Sequence, residues 1–328
     1  MHAFLHKKWV RTLGYALFGA GALFFFFYFT FPAQAVGQRL SQEIQRRTGG
    51  AVNIVFTDVS LYRFSGIAAK KVKIRTNPEV GTPLEIEVDG LHLRLRLLPL
   101  LLFSLSVSAG IDLGDGSIDG IATKVEDGVD LELELDDVDF MTPPILTKVV
   151  GVPIRGKLAG KIKTKVGYGT GKGKAKGVDN GPHGLLPEQS EGQASITIHS
   201  AGFGPGKVSG FTVPEALDFG QLDLTLDMRR GRLRVASFQQ KGGQIALDAS
   251  ASSNLRAALK TSTLDACVKF KVTDEAYLAK NPNIRSALEL AAAQLKKDAE
   301  GYLHLKWNGT MGDPRRQPGG LCRGAGKP

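Results

Sequence analysis

The stretch DGSIDGIATKVE, residues 115 to 126, sets oxygen-bearing side chains at a spacing that could hold a cation. Asp115, Ser117 and Asp119 fall at positions 1, 3 and 5, Gly120 at 6 and Glu126 at 12 of a calcium loop of the EF-hand type. Such a loop needs a helix on either side. LSVSAGI before it and VDLELEL after it alternate like strands, so context favours a turn-rich hairpin connection without metal. GYGTGKGKAKG resembles a phosphate loop only superficially: Gly171-Lys172 has Val166 where the first Gly belongs and Gly173 where a Ser or Thr belongs. The histidines are scattered without metal-ligand spacing, no HExxH, CxxC or GxSxG occurs, and nothing pairs a nucleophile with a base. A non-enzymatic protein without cofactor or metal is the expectation.

Two further sets of residues have a chemical reading. Lys161, Lys163 and Lys165, followed by Lys172, Lys174 and Lys176, could contact anionic lipid or an acidic partner. They could equally be the wet face of a strand and a solvated loop, as the acidic run DLELELDDVDF could be another wet face. The only two cysteines, Cys267 and Cys322, are too few for a metal site and suggest a disulfide in an oxidising compartment, the alternative being two independent thiols. In LDACVKFKV, Cys267 lies on the strand face opposite Leu264, Ala266, Val268, Phe270 and Val272, so its sulfur is not committed to that apolar face.

The elements that would position these residues begin with an apolar segment. From Leu13 to Phe31 no residue is charged, a length of about 28 Å as a helix, enough to cross a bilayer's hydrocarbon core. Ala33-Gln34-Ala35 is a small-x-small tripeptide that a signal peptidase could accept, but the apolar run exceeds the usual signal core, which favours a retained anchor over residues 13–32. Lys7, Lys8 and Arg11 precede the span and would keep the N-terminus in the cytoplasm, exporting the rest. Val36, Leu40 and Ile44, ahead of a Gly49-Gly50 stop, predict a connecting helix over 33–48. With 42% apolar residues the chain can form a substantial core. A net charge of +10 would suit nucleic acid, but export redirects it toward lipid headgroups or an acidic protein surface.

Beyond Gly50 the dominant period is two. Leu84, Ile86 and Val88 alternate with acids, Asp89-Gly90 reads as a two-residue hairpin turn, and Leu91, Leu93, Leu95 and Leu97 resume the alternation. The same signature recurs over 105–113, 129–136, 194–199, 222–228 and 303–307, each a strand with one wet and one dry face. Residues 283–300, with Asn281 as N-cap, Pro282 at the first position and Gly301 as stop, predict the single late helix. The Gly/Lys-rich stretch 167–192 reads as a loop or linker between a first β lobe, 49–166, and a second, 193–328. The predicted class is mainly β: an N-terminal transmembrane helix, then a large antiparallel, curved sheet with one C-terminal helix. So many half-apolar strands must pack as a sandwich, close as a barrel, or curl into a trough whose dry lining something else covers.

The succession of basic leader, apolar span, a helix ending in RRTGGAVNIVF, the strands around SLYRFSGIAAKKVKI, then LHLRLRLLPLLLFSLSVSAGIDLGDGSIDGIATKV and finally EGYLHLKWNGTMGDPRRQP resembles the type II secretion system protein N family. That family belongs to a wider group of AsmA-like, membrane-anchored periplasmic β proteins. The resemblance implies a non-enzymatic component of the type II secretion machine, anchored in the bacterial inner membrane with its bulk in the periplasm and partnered by inner-membrane secretion proteins. The competing expectation is an AsmA-like lipid-binding or lipid-transfer protein with an apolar β groove. No diagnostic catalytic residue comes with the resemblance.

Overall fold

The computed structural model describes residues 8–50, 52–63, 65–76, 84–139, 154–170, 183–208, 211–213, 217–257, 261–282, 285–286, 289, 295–317 and 319–322. The protein is mainly antiparallel β, and the chain forms two compact units that divide between Leu95 and Arg96.

The first unit starts with helix α1, Lys8–Thr30, whose Trp9–Thr30 stretch has a mean hydropathy of 1.6 and is long and apolar enough to cross a membrane. The helix stops just before Phe31 and Pro32, since a proline disfavours helical backbone at the residue preceding it. Helix α2, Ala33–Arg47, follows and ends where Gly49 and Gly50 take φ of +60° and +83°, with the Gly50 N–H donating to Gln45 O at 2.8 Å. This is the glycine-terminated stop that the sequence predicts. Strands β1 (Val52–Tyr62), β2 (Gly66–Thr76) and β3 (Leu84–Leu95) form an antiparallel meander, and α2 packs along β1. Ser41 Oγ donates to Ile54 O, and a Cβ on Gly37 would lie 2.8 Å from a Val59 methyl carbon, so glycine permits this close helix–strand approach.

Asp89-Gly90 is not a turn. It lies inside β3, with Val72 opposite Val88 and Lys70 opposite Gly90 in one unbroken register. The apolar pattern shifts phase here in both strands, from Leu84, Ile86, Val88 to Leu91, Leu93, Leu95 in β3, and from Ile67, Ala69 to Val72, Ile74 in β2. Lys71 adopts φ +52° opposite this point, and the interrupted alternation leaves Ala69, Val72 and Val88 all buried while Lys70, Lys71 and Asp89 are exposed. Pairing along the whole length of β2 overrides the local turn preference of Asp-Gly. Leu97 likewise leaves the strand pattern, because Pro99 sits in a short helix, α3, Leu97–Leu101.

The second unit builds one continuous sheet. Its strands are β4 (Ser106–Leu113), β5 (Gly116–Val125), β6 (Gly128–Asp139), β7 (Ile154–Thr170) and β8 (His183–Phe203). A separate small hairpin, β9 (Gly206–Val208) and β10 (Phe211–Val213), intervenes before β11 (Leu217–Arg229), β12 (Arg232–Lys241), β13 (Ile245–Asn254) and β14 (Thr263–Val272). Helix α4 (Glu275–Lys280) and strands β15 (Leu303–Thr310) and β16 (Asp313–Arg316) complete it. Apart from the β9–β10 excursion, each strand pairs with the next in chain order, the arrangement that short connections favour.

Three expectations need correction in this unit. Residues 115–126 are not a turn-rich connection: Gly116–Val125 is strand β5 itself, paired on both edges. The stretch 167–192 does not separate two lobes, because Gly167 to Thr170 and His183 to Gly192 extend the β7–β8 hairpin, with Thr170 opposite His183; residues 171–182 lie outside the described residues. Backbone pairing on both strands outweighs a composition that reads as loop, and the compact-unit boundary lies instead at residues 95 and 96. The helix expected over 283–300 has helical backbone at Pro282, Arg285, Ser286 and Glu289, but Leu295 to Glu300 is not helical. There Lys297 bridges to Leu303, and the His304 N–H donates to Lys296 O at 3.1 Å, so strand pairing replaces the last helical turns. Within that range, residues 283–284, 287–288 and 290–294 lie outside the described residues.

Candidate functional site

Register and alternation together sort the second unit's side chains onto two faces of different chemistry. In β4 to β6, Ile111 stands opposite Ile118 and Ile118 opposite Leu135, while Gly120 stands opposite Leu133. A Cβ on Gly120 would lie 2.8 Å from Leu133 Cδ2, so the glycine leaves room for that leucine to lie across it. The row continues through Leu133 with Ile162, Ile162 with Ala194, and Leu226 opposite Ala194. Leu224 and Phe238 extend it, then Leu247 with Phe270 and Phe270 with Leu303. Leu131, Leu133 and Leu135 are half-buried, whereas Asp130, Glu132 and Glu134 between them are exposed. Ten strands, β4 to β8 and β11 to β15, spaced about 4.8 Å apart carry this apolar face over roughly 43 Å along the hydrogen-bonding direction, and β16, Asp-Pro-Arg-Arg, ends it.

At one end the face is closed. Asp274 caps α4 by accepting from the Tyr277 N–H at 2.9 Å, and the helix seats Tyr277 in a buried cluster with Leu217 and Ile245. Phe203, Phe219 and Phe270 pack around them, the first two with ring centroids 5.4 Å apart. TDEAYLAK carries a recognisable cap and a basic last turn, so this helix had a sequence signal that the period-two reading passed over. Elsewhere, among the described residues, the strands of the unit pack extensively only against their neighbours within the sheet.

The opposite face is a succession of cross-strand ion pairs. Lys161 Nζ lies 2.7 Å from Glu134 and Lys163 Nζ 3.0 Å from Glu132, while Lys165 stands opposite Asp130. The basic stripe expected to meet lipid or partner is therefore matched charge for charge by the neighbouring strand, the wet-face alternative of the same reading; Lys172, Lys174 and Lys176 lie outside the described residues. The side-chain hydrogen bond to Glu134, then its charge, raises the Lys161 pKa above 10.5, outweighing the small opposing effect of burial. Farther along, Lys241 lies 3.0 Å from Asp223 and Lys269 2.7 Å from Asp248. Asp223 also accepts from Gln221 and Thr197, and hydrogen bonds from Gln221, Lys241 and Thr197 lower its pKa to about 2.

Cys267 is on this second face and is joined to Cys322, with Cα atoms 5.6 Å apart and a sequence separation of 55. The tail is held at a second point, where the Cys322 N–H donates to His304 Nδ1 at 2.9 Å. Nδ1 must then be unprotonated, which makes Nε2 the donor to Asp298 Oδ2 at 3.0 Å. Lost hydration would raise the Asp298 pKa, but hydrogen bonds from Tyr302, His304 and Glu300 together hold it below 3.8. These contacts fasten the C-terminal segment across β14 and β15 and leave the apolar face untouched.

Among the described residues no group of three or more His, Cys, Asp or Glu side chains could hold a metal ion. In the first unit, a groove of about 480 Å³ between α2 and β1 is lined by Gln34, Gln38, Ser41 and Val55 among others and holds no catalytic constellation. The chemistry this arrangement can perform is binding of apolar matter. No protein-family model, no curated protein and no solved structure matches the chain.

Proposed function

We propose that this chain is a non-enzymatic, single-pass membrane-anchored protein whose extended apolar sheet face receives the acyl chains of membrane lipid. The observation that carries the reading is the asymmetry of the second unit's sheet: one face is apolar across ten strands, the other carries cross-strand ion pairs. Helix α1 supplies the reason for choosing lipid over other apolar matter, since it ties the chain to a bilayer. Each methylene moved from water onto such a face contributes about 0.8 kcal/mol. The α4 cluster closes one end of the face, a stop for a bound chain.

Lys8 and Arg11 precede the span, which supports an N-terminus in the cytoplasm and a bulk exported to the periplasm of a bacterium. The test is native mass spectrometry of the full chain, purified in mild detergent, with lipid extraction. At least one phospholipid per chain is expected, lost when Leu133 and Leu224 are both changed to Asp. A wild-type protein that carries no lipid overturns the reading.

A second reading rests on the order of basic leader, span, helix and strands that resembles the type II secretion system protein N family: an inner-membrane component of that machine, using its sheet to hold other secretion proteins. Cross-linking in cells that captures secretion-platform proteins, undiminished by the double Asp variant, would favour it over lipid handling.

A further inference from the structure

The segment LLPLLLF, residues 97–103, opens the second unit and is unlike the rest of its surface. Leu98, Leu101, Leu102 and Phe103 are 78%, 76%, 81% and 101% exposed. Among the described residues only α1 shows a comparable run of exposed large apolar side chains, and α1 has the length and hydropathy of a membrane span. Exposure of contiguous apolar groups on this scale marks an interaction surface rather than ordinary surface scatter.

The backbone of the segment is organised for an apolar environment. The N–H groups of Leu102 and Phe103 donate to Pro99 O and Leu100 O, both at 3.0 Å, and the Ser104 N–H donates to Pro99 O at 2.9 Å. Pro99 has no N–H to satisfy. At the base, the Arg96 N–H donates to Ser106 O at 2.9 Å and closes the loop onto β4. Phe103 is held at φ +57°, a conformation that non-glycine residues seldom adopt, with its ring fully exposed. A loop that satisfies much of its own backbone hydrogen bonding can leave water at far lower cost than an open one. Arg96, exposed at the foot of the loop, is the cation suited to a phosphate at headgroup depth.

We infer that residues 97–103 form a second, non-spanning membrane contact, seated in the headgroup and upper acyl region of the same bilayer that α1 crosses, with Arg96 at phosphate level. The inference rests on the anchoring part of the proposed function and is independent of whether the sheet binds lipid. Amphipathic and apolar elements of this kind settle some 5–10 Å into the boundary between headgroups and chains. The apolar face of β4 begins at Val107, four residues beyond Phe103, so the contact sets the first strand of that face at the membrane surface.

The test uses the full chain in phosphatidylethanolamine/phosphatidylglycerol vesicles, with Trp9 and Trp307 replaced by Phe and one reporter introduced as F103W, or as L98W in a parallel protein. R316W, on the exposed β16, is the control. Brominated acyl chains should quench most of the emission of F103W and L98W, aqueous iodide should not reach them, and R316W should behave in the opposite way. Reporters open to iodide and indifferent to bromolipid overturn the inference. So does shielding that bromolipid does not quench and that grows with protein density, which would mean contact with protein. Flotation of the same vesicles reports α1 anchoring and native mass spectrometry reports lipid on the sheet, so failure of the loop is read separately from failure of either.

Discussion

The two units use the same alternating strands and end in different states. In the first, α2 lies along β1, and the meander holds Val72 and Val88 at 0% and 2% exposure. In the second, the apolar row runs across ten strands, most of its side chains remain half-buried, and α4 closes one end. An apolar residue under a cover contributes its burial to folding, whereas one on an open face keeps part of that free energy available for a ligand. The first unit thus has the character of a small folded core, and the second that of an open apolar face backed by a wet side of paired charges.

The sharpest way to break this contrast is a charge placed in each unit. Val72→Asp puts a carboxylate where no water reaches and is expected to destabilise the first unit by at least about 3 kcal/mol, read by denaturant unfolding of the full chain. Next in size is the disulfide: Cys267→Ser should remove about 2 to 4 kcal/mol from the second unit, and a reductant should lower the wild-type Tm but not the variant's. A smaller cost is expected of Leu224→Asp, about 1 kcal/mol, because the site is already half open. If Leu224→Asp proved as damaging as Val72→Asp, the face would be a covered core and the contrast between units would fail.

The charge-paired face gives two finer measurements. Asp223 has its pKa lowered to about 2, so its contribution is present above 3.8 and is lost as pH falls through about 2. Wild type and Asp223→Asn should therefore differ in Tm near neutrality and converge at the acid end, a pH series of melting curves being the check. Lys161 has a raised pKa, so its pair with Glu134 contributes below 10.5 and is lost as pH climbs above that value. Lys161→Gln should leave Tm near neutrality almost unchanged, since an exposed pair of this kind adds little.

Much of the strand content was legible because the period-two alternation is a property of single strands: VDLELELDD announces a wet and a dry face wherever it is placed. Cys267 was legible as lying opposite the apolar residues of its own strand for the same reason. Asp89-Gly90 shows the limit. Its residue types suit a turn, and only the length of β2 beside it determines that the strand continues. The Gly/Lys-rich stretch around 167–192 fails similarly, since its composition says nothing of a partner strand able to pair with it. Whether Lys161 and Lys163 were a free basic stripe or a paired wet face stayed open in the sequence, because Glu134 and Glu132, 27 and 31 residues away, become neighbours only through the β6–β7 register.

Taken alone, the chain's residues determined the apolar N-terminal helix, the glycine stop after α2 and the two-faced character of most strands, because each depends on side chains a few positions apart. Tertiary structure decided which strands lie side by side, that their dry faces join into one row, that opposite charges meet on the other side, and that α4 closes one end. Those outcomes depend on register between distant segments, and a shift of one residue in any pairing would carry a strand's apolar residues to the opposite face.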